Sequence, residues 1–496
     1  NCTFSSYMMN SCGGALFISI QNEPDKPIEI NNCTFNGREG DDPDPEEENG
    51  GAIYYTYTSS SSNELLEARE GDTSYIFSVI DSLFKSNEGM YGGSMYISIQ
   101  NAKQPKNIEI SGCSFDEDQA TNYDFSNQKG YGGSIYYITN SASVSSSLRV
   151  NNCKFTKSRA ETDGGSIYLS IQNHNYIEIN GCTFDECTVR SNAGSIYYSV
   201  DLATSSNNEA TNSLSVTGCT FKDNDAVSNG GSIYLQIPNN QPSKPIKIDN
   251  CTFTNSKASS SGGCIYYDCN PPSVSQEGTD PGLIVTYCEL SSCTSGQYGG
   301  AIYLSVTNCD PSKTVEISYC SFPDSYSDAN KDALYIKSIK KVHDLFHFTE
   351  CNFSKYTVLL DCYSAKFEKC RFDDVLKDGK YALYICCTMG GTQSDYNYAI
   401  TVDQCNFSQT TEVDSLVFFE KTIISKFSFT NNRIEIKQET IKTRVLGCDE
   451  DMKESGDFDK YWYFDNNFID PADRDLIKDF ETSSKVIPAD CDKGFI

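Results

Sequence analysis

The sequence predicts an all-β protein, a right-handed single-stranded parallel β-helix with about one coil per 29–49 residues. Two short motifs alternate along the chain, and apolar alternation of strand period lies between them. Gly, Asn and Ser separate these segments, and no segment shows a sustained 3.6-residue period. Repeated short strands joined by tight turns are typical of a solenoid in which each coil stacks on the previous one.

The first motif is Cys-x-Phe and the second is Gly-Gly-(Ser/Ala)-apolar-aromatic. Clear copies of the first begin at Cys33, Cys113, Cys153, Cys182, Cys219, Cys251 and Cys320. Copies of the second begin at Gly13, Gly50, Gly92, Gly132, Gly164, Gly230, Gly262 and Gly299. Each unit is therefore predicted to hold three short strands, exemplified by Ser-Ile-Tyr-Leu-Ser-Ile, Ile-Glu-Ile and Cys-Thr-Phe.

The residue before the motif Cys predicts a sharp corner. Asn32, Gly112 and Asn152 occupy it in three coils, and these residue types tolerate a left-handed backbone. Tyr287 and Tyr319 break the rule, so we expect the corner geometry to change there.

The spacing of the motifs predicts a two-coil super-repeat of about 69 residues, because short and long coils alternate. The extra residues of most long coils directly follow the strand that begins Ile-Tyr. These inserts are rich in Ser, Thr and Asn, and we expect them to project from one edge. They cover 56–74, 138–147, 199–213 and 268–282.

Three regions are predicted. Residues 1–325 hold regular coils, residues 326–439 hold degenerate coils, and residues 440–496 form a cap or exit segment. The chain begins inside a repeat, so it is interpreted as a fragment of a longer protein.

Charge excludes some partners. Lys and Arg total 39 against 68 Asp and Glu, a formal net charge of −29. Phosphates repel such a surface, which disfavours nucleic acid or an anionic membrane as partner. We expect contact with a membrane only through segments absent from this chain.

The motifs resemble the repeats of chlamydial polymorphic membrane proteins and of similar trichomonad surface proteins. The resemblance lies in Gly-Gly-Ala-Ile at 50–53 and 299–302 and in Phe-x-x-Asn. Copies of the latter are Phe84–Asn87, Phe221–Asn224, Phe429–Asn432 and Phe464–Asn467. The resemblance implies a β-helix displayed at the cell surface and used in adhesion. This chain differs from that family by a Cys in nearly every coil.

One aromatic residue per coil is predicted to face outward, because alternate residues of a strand point to opposite sides. This Tyr column comprises Tyr54, Tyr96, Tyr136, Tyr168, Tyr197, Tyr234, Tyr266 and Tyr303. We expect it to form a continuous exposed stripe. Two interpretations remain open: stacked rings that stabilise the sheet, or a platform for sugar rings or a partner protein.

The motif cysteines are predicted to be free thiols in the core, where parallel side chains do not point at each other. Cysteines outside this column are better candidates for disulfides. The candidate pairs are Cys264 with Cys269, Cys293 with Cys309, and Cys448 with Cys491.

Catalytic and metal-binding signals are weak. His is present three times only, no nucleophile elbow or phosphate loop occurs, and the outward columns carry Tyr and Ser where a glycosidase needs carboxylates. We therefore expect no enzyme activity, no metal and no cofactor. Candidate glycosylation sites lie at Asn32, Asn250, Asn352 and Asn406, close to coil corners.

The leading hypothesis is a non-enzymatic extracellular or cell-surface β-helix that acts as an adhesin or display stalk. Its partner would be a host or neighbouring cell-surface protein or glycan, or copies of itself. One alternative is a structural subunit of a filament or surface coat. The other is a polysaccharide lyase or hydrolase.

Overall fold

The computed structural model shows the chain as two compact units. One comprises Asn1–Ser260, Cys264–Tyr266 and Pro271–Ser273, and the other comprises Ser261–Gly263, Tyr267–Asn270 and Val274–Ile496. The residues described are 1–5, 13–21, 26–37, 49–58, 75–100, 102, 106–121, 129–140, 146–171, 174–200, 213–238, 244–270, 282–307, 314–338, 345–375, 381–386, 399–410, 413, 415–420, 426–436, 444–448, 462–465 and 467–469.

Each coil adds one strand to each of three parallel sheets. The Cys-Phe sheet holds the strands of the first motif. In the first unit these are Thr3–Ser5, Thr34–Asn36, Leu83–Lys85, Ser114–Asp116, Lys154–Thr156, Thr183–Asp185, Thr220–Lys222 and Thr252–Thr254. In the second unit they are Glu289–Ser291, Ser321–Phe322, Asn352–Ser354, Arg371–Asp373, Asn406–Gln409, Arg433–Ile436 and Phe468–Ile469.

The Tyr sheet holds the strands that follow the glycine motif. The first unit contributes Leu16–Ile20, Ile53–Thr58, Met95–Gln100, Ile135–Asn140, Ile167–Ile171, Ile196–Val200 and Ile233–Ile237. Ile265–Cys269 has residues in both units. The second unit contributes Ile302–Val306, Asp332–Ser338, Thr357–Asp361, Tyr381–Cys386, Ser415–Glu420 and Arg444–Cys448.

The Ile sheet holds the alternating strands that lead to the motif Cys. In the first unit they are Ile28–Asn31, Tyr75–Ile80, Asn107–Ser111, Ser146–Asn151, His174–Asn180, Leu214–Thr217 and Ile246–Asp249. In the second they are Leu283–Thr286, Val315–Ser318, Phe346–Thr349, Ser364–Glu368, Ala399–Asp403, Lys426–Thr430 and Trp462–Asp465.

A fourth, short sheet lies between the Cys-Phe sheet and the Tyr sheet, where the sequence predicts only a turn. Its two-residue strands are Glu88–Gly89, Gln119–Ala120, Arg159–Ala160, Thr188–Val189, Asp225–Ala226 and Lys257–Ala258 in the first unit. The second unit has Thr294–Ser295 and Tyr326–Ser327. Such pieces are too short to show a strand period. The predicted three-strand coil is therefore wrong where this fourth strand is present, whereas the predicted parallel β-helix is confirmed.

The core is filled by ladders of identical side chains that pair in register from coil to coil. Phe155 pairs with Phe115 and with Phe184 in the Cys-Phe sheet. Their rings stack with centroids 4.7 and 4.8 Å apart, and all three side chains are fully buried. This distance is the spacing between neighbouring strands, so the ladder needs no adjustment of the backbone.

The two glycines of the second motif are required for two different physical reasons. Gly164 has φ of 70°, a conformation that side chains with a Cβ rarely adopt. Gly165 has no such angle, but a Cβ on it would lie 2.0 Å from the carbonyl oxygen of Gly194 in the next coil. The motif therefore combines a left-handed turn with close approach of two backbones.

The corner column consists of the left-handed residue between the Ile sheet and the Cys-Phe sheet in each coil. Its members are Asn32, Asp81, Gly112, Asn152, Gly181, Gly218 and Asn250 in the first unit, and Tyr287, Tyr319, Glu350, Lys369, Gln404 and Asn431 in the second. Tyr287 and Tyr319 have φ of 54° and 56°, close to the 52° of Asn32. The expected change of corner geometry is therefore wrong: the residue type changes and the backbone does not.

The Asn of Phe-x-x-Asn is a buried cap inside the coil. The Asn224 side chain accepts the backbone N–H of Cys187 at 2.9 Å and donates to the carbonyl oxygen of Phe184 at 3.2 Å. It satisfies two backbone groups of the neighbouring coil that have no other place in the ladders.

Strands also occur in the segment 440–496, which is predicted to be a cap. Arg444–Cys448, Trp462–Asp465 and Phe468–Ile469 each pair in parallel with a strand of the preceding coil. Coils therefore continue past residue 440. In the described part of the chain, no helix is long and apolar enough to cross a membrane.

Candidate functional site

The Tyr column lies on the outer side of the Tyr sheet, at the second position of each strand. Register pairing aligns Tyr96, Tyr136, Tyr168, Tyr197 and Tyr234 in consecutive coils. Neighbouring ring centroids along this run are 4.8–5.3 Å apart and the ring planes differ by 2–9°. Tyr54 and Tyr266 extend the stack at its two ends, and Tyr303 stacks on Tyr335 in the second unit.

The column is not the exposed stripe that the sequence predicts. Tyr136, Tyr197, Tyr234 and Tyr303 retain only 7–9% of their accessible surface, and Tyr54, Tyr96, Tyr168 and Tyr266 are half-buried. The physical reason is the stacking itself, because each ring covers the faces of its neighbours and leaves only its edge to solvent. A sugar ring needs an aromatic face, so this arrangement favours the structural interpretation of the column.

Burial raises the pKa of Tyr136, Tyr168 and Tyr197 in the column and keeps these hydroxyl groups neutral. Burial raises the pKa of Tyr168 far above its usual value, and the neighbouring Tyr197 and Tyr136 raise it further. The nearby Asp163 carboxyl accepts the backbone N–H and the side-chain amide of Asn192, both at 3.0 Å. In their neutral form these three phenols can both donate and accept hydrogen bonds.

A polar column runs beside the tyrosines, two residues further along each strand. In the second unit it contains Ser305, Lys337 and Asp361, which are in register in consecutive coils. The hydroxyl of Tyr335 donates to Asp361 Oδ2 at 3.4 Å. Burial raises the pKa of Asp268, while a hydrogen bond from Ser305 and the charge of Lys337 lower it. The cluster combines carboxylates, an ammonium group and a phenol on one face.

This polar cluster is absent from the sequence prediction, which assigns Tyr and Ser to the outward columns. Lys337 and Asp361 lie in strands that have lost the glycine motif. Counting back from the cysteine motif would not have aligned them, because Lys337 precedes Cys351 by 14 residues and Asp361 precedes Cys370 by 9.

The motif cysteines lie in the core as free thiols, among them Cys153, Cys182 and Cys219. Cys182 Sγ accepts the backbone N–H of Cys153 at 3.4 Å and donates to the carbonyl oxygen of Val150 at 3.3 Å. Ser82 fills the same position in one coil, where its Oγ accepts the backbone N–H of Cys33 and donates to the carbonyl oxygen of Ile80. The thiol is therefore a polar cap of the corner as well as a packing group.

Cys264, Cys269 and Cys293 are disulfide-bonded. The predicted pair of Cys264 with Cys269 is wrong, because Ile265–Cys269 is an extended strand. Five residues of strand separate the two Cα atoms by about 16 Å, and a disulfide tolerates about 7 Å at most. The side chains of Cys309, Cys448 and Cys491 lie outside the described residues.

The predicted glycosylation sites fall into two structural groups. Asn32 and Asn250 are exposed corner residues with φ of 52°. Asn352 and Asn406 lie within strands of the Cys-Phe sheet, half-buried, with their side-chain oxygens shielded from solvent. The corner pair is therefore the more exposed of the two groups.

Among the residues described, no group of three or more His, Cys, Asp and Glu side chains could hold a metal ion. His347 instead lies in the Ile sheet, in register between Glu316 and Lys366. His343 lies outside the described residues.

The repeated coils, parallel sheets and stacked ladders define a parallel β-helix repeat protein. No family model matches the chain, and no curated relative matches it. Similar solved structures include the following two. One is tailspike protein 3 of bacteriophage CBA120, with 10% identity and a TM-score of 0.28, covering 92% of this chain and 57% of that one. The other is AlyGC, an alginate lyase of family PL6, with 10% identity and a TM-score of 0.19, covering 95% and 96%. The chain thus spans little more than half of the tailspike protein.

Proposed function

We propose that the protein is a non-enzymatic β-helix at the cell surface or outside the cell, where it displays its connecting segments to a partner. One observation carries this proposal. The strands of the Tyr sheet end in register, so the segments that lead to the Ile sheet all leave from the same edge. In the first unit these include 59–74, 141–145, 172–173 and 201–213.

The length of these segments is independent of the fold that holds them. Ile171 pairs with Val200 and Ile177 pairs with Leu214 of the following coil. Five residues join the first member of each pair, at 172–176, and 13 join the second, at 201–213. Because the fold does not require the longer segments, their presence favours a role in binding. The partner would be a surface protein or glycan of a host or neighbouring cell.

A segment exchange tests this function. Residues 201–213, which join Val200 to Leu214, are replaced by the five residues Gln-Asn-His-Asn-Tyr at 172–176, which join the register-equivalent Ile171 and Ile177. The matched control replaces Gln-Asn at 172–173 by Gly-Ser. The fluorescent full chain is then applied to cells and to immobilised glycans. We expect the exchange to abolish binding while far-UV circular dichroism is unchanged, and the control to bind normally.

Other outcomes replace the proposal by a stated alternative. Full binding after exchange of each long segment would reject display. A molecular mass that increases with protein concentration, in the absence of a partner, would instead favour a filament or coat subunit. Release of new chain ends from acidic polysaccharides would favour a lyase or hydrolase.

A further inference from the structure

Two exposed tyrosines in the corner column of the second unit have no role in the fold described so far. Tyr287 and Tyr319 occupy consecutive corners and retain 59% and 44% of their accessible surface. Their rings stack with centroids 4.8 Å apart and planes that differ by 4°. They are among the few large apolar side chains exposed in the described part of the chain.

The corner itself does not call for an aromatic residue. All thirteen described members of the corner column are exposed, and the other eleven are glycine or polar. A left-handed backbone disfavours any bulky side chain, and Asn tolerates it better than Tyr. Stacking of the two rings offsets part of this cost, but Asn at both corners would avoid the cost and would also expose no apolar surface.

The surroundings of the pair carry negative charge. Glu289 follows Tyr287 by two residues and is exposed on the Cys-Phe sheet, in register with Ser321. Glu350 occupies the next corner after Tyr319, since the backbone N–H of Tyr319 bonds to Thr349 of that coil at 2.9 Å. Its carboxylate lies 4.0 Å from Lys369 Nζ, and the whole chain has a formal charge of −29.

We propose that Tyr287 and Tyr319, together with Glu289 on the adjoining strand and Glu350 at the next corner, form a docking site for an arginine-bearing segment of a partner protein. Guanidinium groups stack on aromatic rings and bond to carboxylates with the same planar group. Positive charge on the partner complements both the local carboxylates and the field of the whole chain. The site is separate from the connecting segments of the proposed function.

The test measures binding of a fluorescein-labelled Gly-Arg-Gly-Arg-Gly-Arg peptide to the full chain by anisotropy at low salt. The double variant Tyr287→Asn with Tyr319→Asn places the usual corner residue at both sites. We expect it to fold normally and to weaken binding by about tenfold or more, the scale of losing desolvated cation–π contacts. Glu289→Gln with Glu350→Gln should weaken binding by roughly threefold.

The matched control removes two exposed carboxylates at a different left-handed turn, between the Cys-Phe sheet and the short fourth sheet, through Glu117→Gln with Glu186→Gln. Unchanged binding in this control supports the site. The proposal is overturned if the wild type does not bind the peptide, if the tyrosine variant binds as the wild type does, or if the control loses as much. Binding of a chito-oligosaccharide that depends on the two tyrosines, with no binding of the peptide, would also overturn the proposal, in favour of a glycan.

Discussion

The backbone N–H and the side-chain amide of Asn87 both donate to one oxygen of Asp118, at 3.0 and 3.1 Å. Asp118 is fully buried and stands where other coils have Asn, Ser or Cys. Burial raises its pKa to about 7, although hydrogen bonds from Ser94, Asn87 and Ser134 oppose the rise. A carboxyl group that remains protonated to neutral pH is nearly the same shape as the amide found at equivalent corners.

Replacing Asp118 by Asn should therefore flatten the pH dependence of stability. In the wild type the folded state holds this proton up to about pH 7, whereas the unfolded state loses it near the usual carboxyl pKa of 3.8. The free energy of unfolding falls as pH rises between these values and levels off above pH 7. We expect a gain for Asp118→Asn that grows over this range to at most about 4 kcal/mol.

Urea unfolding of both proteins between pH 4 and pH 8 measures this difference. Asp223→Asn is the control, because hydrogen bonding to Asn255 and the charge of Lys222 lower the pKa of Asp223. Parallel pH profiles for the wild type and Asp118→Asn would show that Asp118 is ionised in the folded chain.

The glycine pair makes a prediction about backbone contact. Gly165→Ala forces a Cβ to within 2.0 Å of the Gly194 carbonyl oxygen, so we expect loss of the native fold. Gly218→Asn is the matched change, since Gly218 lies at an open corner. A Cβ added there would have its nearest neighbouring atom 3.9 Å away. Its effect should stay within about 0.5 kcal/mol. Circular dichroism and thermal melting compare the two, and equal melting temperatures would refute the role assigned to Gly165.

Because the thiol caps the corner, the stability of Cys182 variants is expected to depend on whether the new side chain can form hydrogen bonds. Serine keeps a donor and an acceptor, as Ser82 does naturally, so Cys182→Ser should cost about 1 kcal/mol or less. Cys182→Ala leaves the N–H of Cys153 unpaired and should cost about 1–3 kcal/mol. Urea unfolding measures both. If alanine is tolerated as well as serine, the thiol acts through packing alone.

The Tyr column predicts a stability effect that a binding platform does not require. Tyr197 lies between Tyr168 and Tyr234, and its hydroxyl donates to Gln236. Tyr197→Ala should cost about 3–5 kcal/mol, and Tyr197→Phe about 1 kcal/mol. Unfolding of the full chain gives both values. A small effect of the alanine variant on stability, together with loss of binding to cells, would restore the platform interpretation.

Sequence periodicity predicted the fold because most coils repeat the same or a similar residue type at each ladder position. Exposure of the Tyr column was not predictable in this way, since it depends on rings that cover each other's faces. The corner backbone at Tyr287 was mispredicted because the neighbouring coil imposes it: the N–H of Tyr287 bonds to the carbonyl of Ser318 whatever the side chain. The polar column at Lys337 and Asp361 was not predicted, because no local motif marks the strands that contain these residues.

The in-register ladders also bear on how the chain reaches its native state. Phe372 pairs with Phe353 of the coil before it, and Phe353 pairs with Phe322. Each strand after the first coil thus pairs with a strand that was synthesised before it and has already left the ribosome. Closing a loop of one coil costs little more for a long coil than for a short one, because the entropy grows only with the logarithm of length. Assembly can therefore proceed coil by coil during synthesis, and each finished coil becomes the surface on which the next one is ordered.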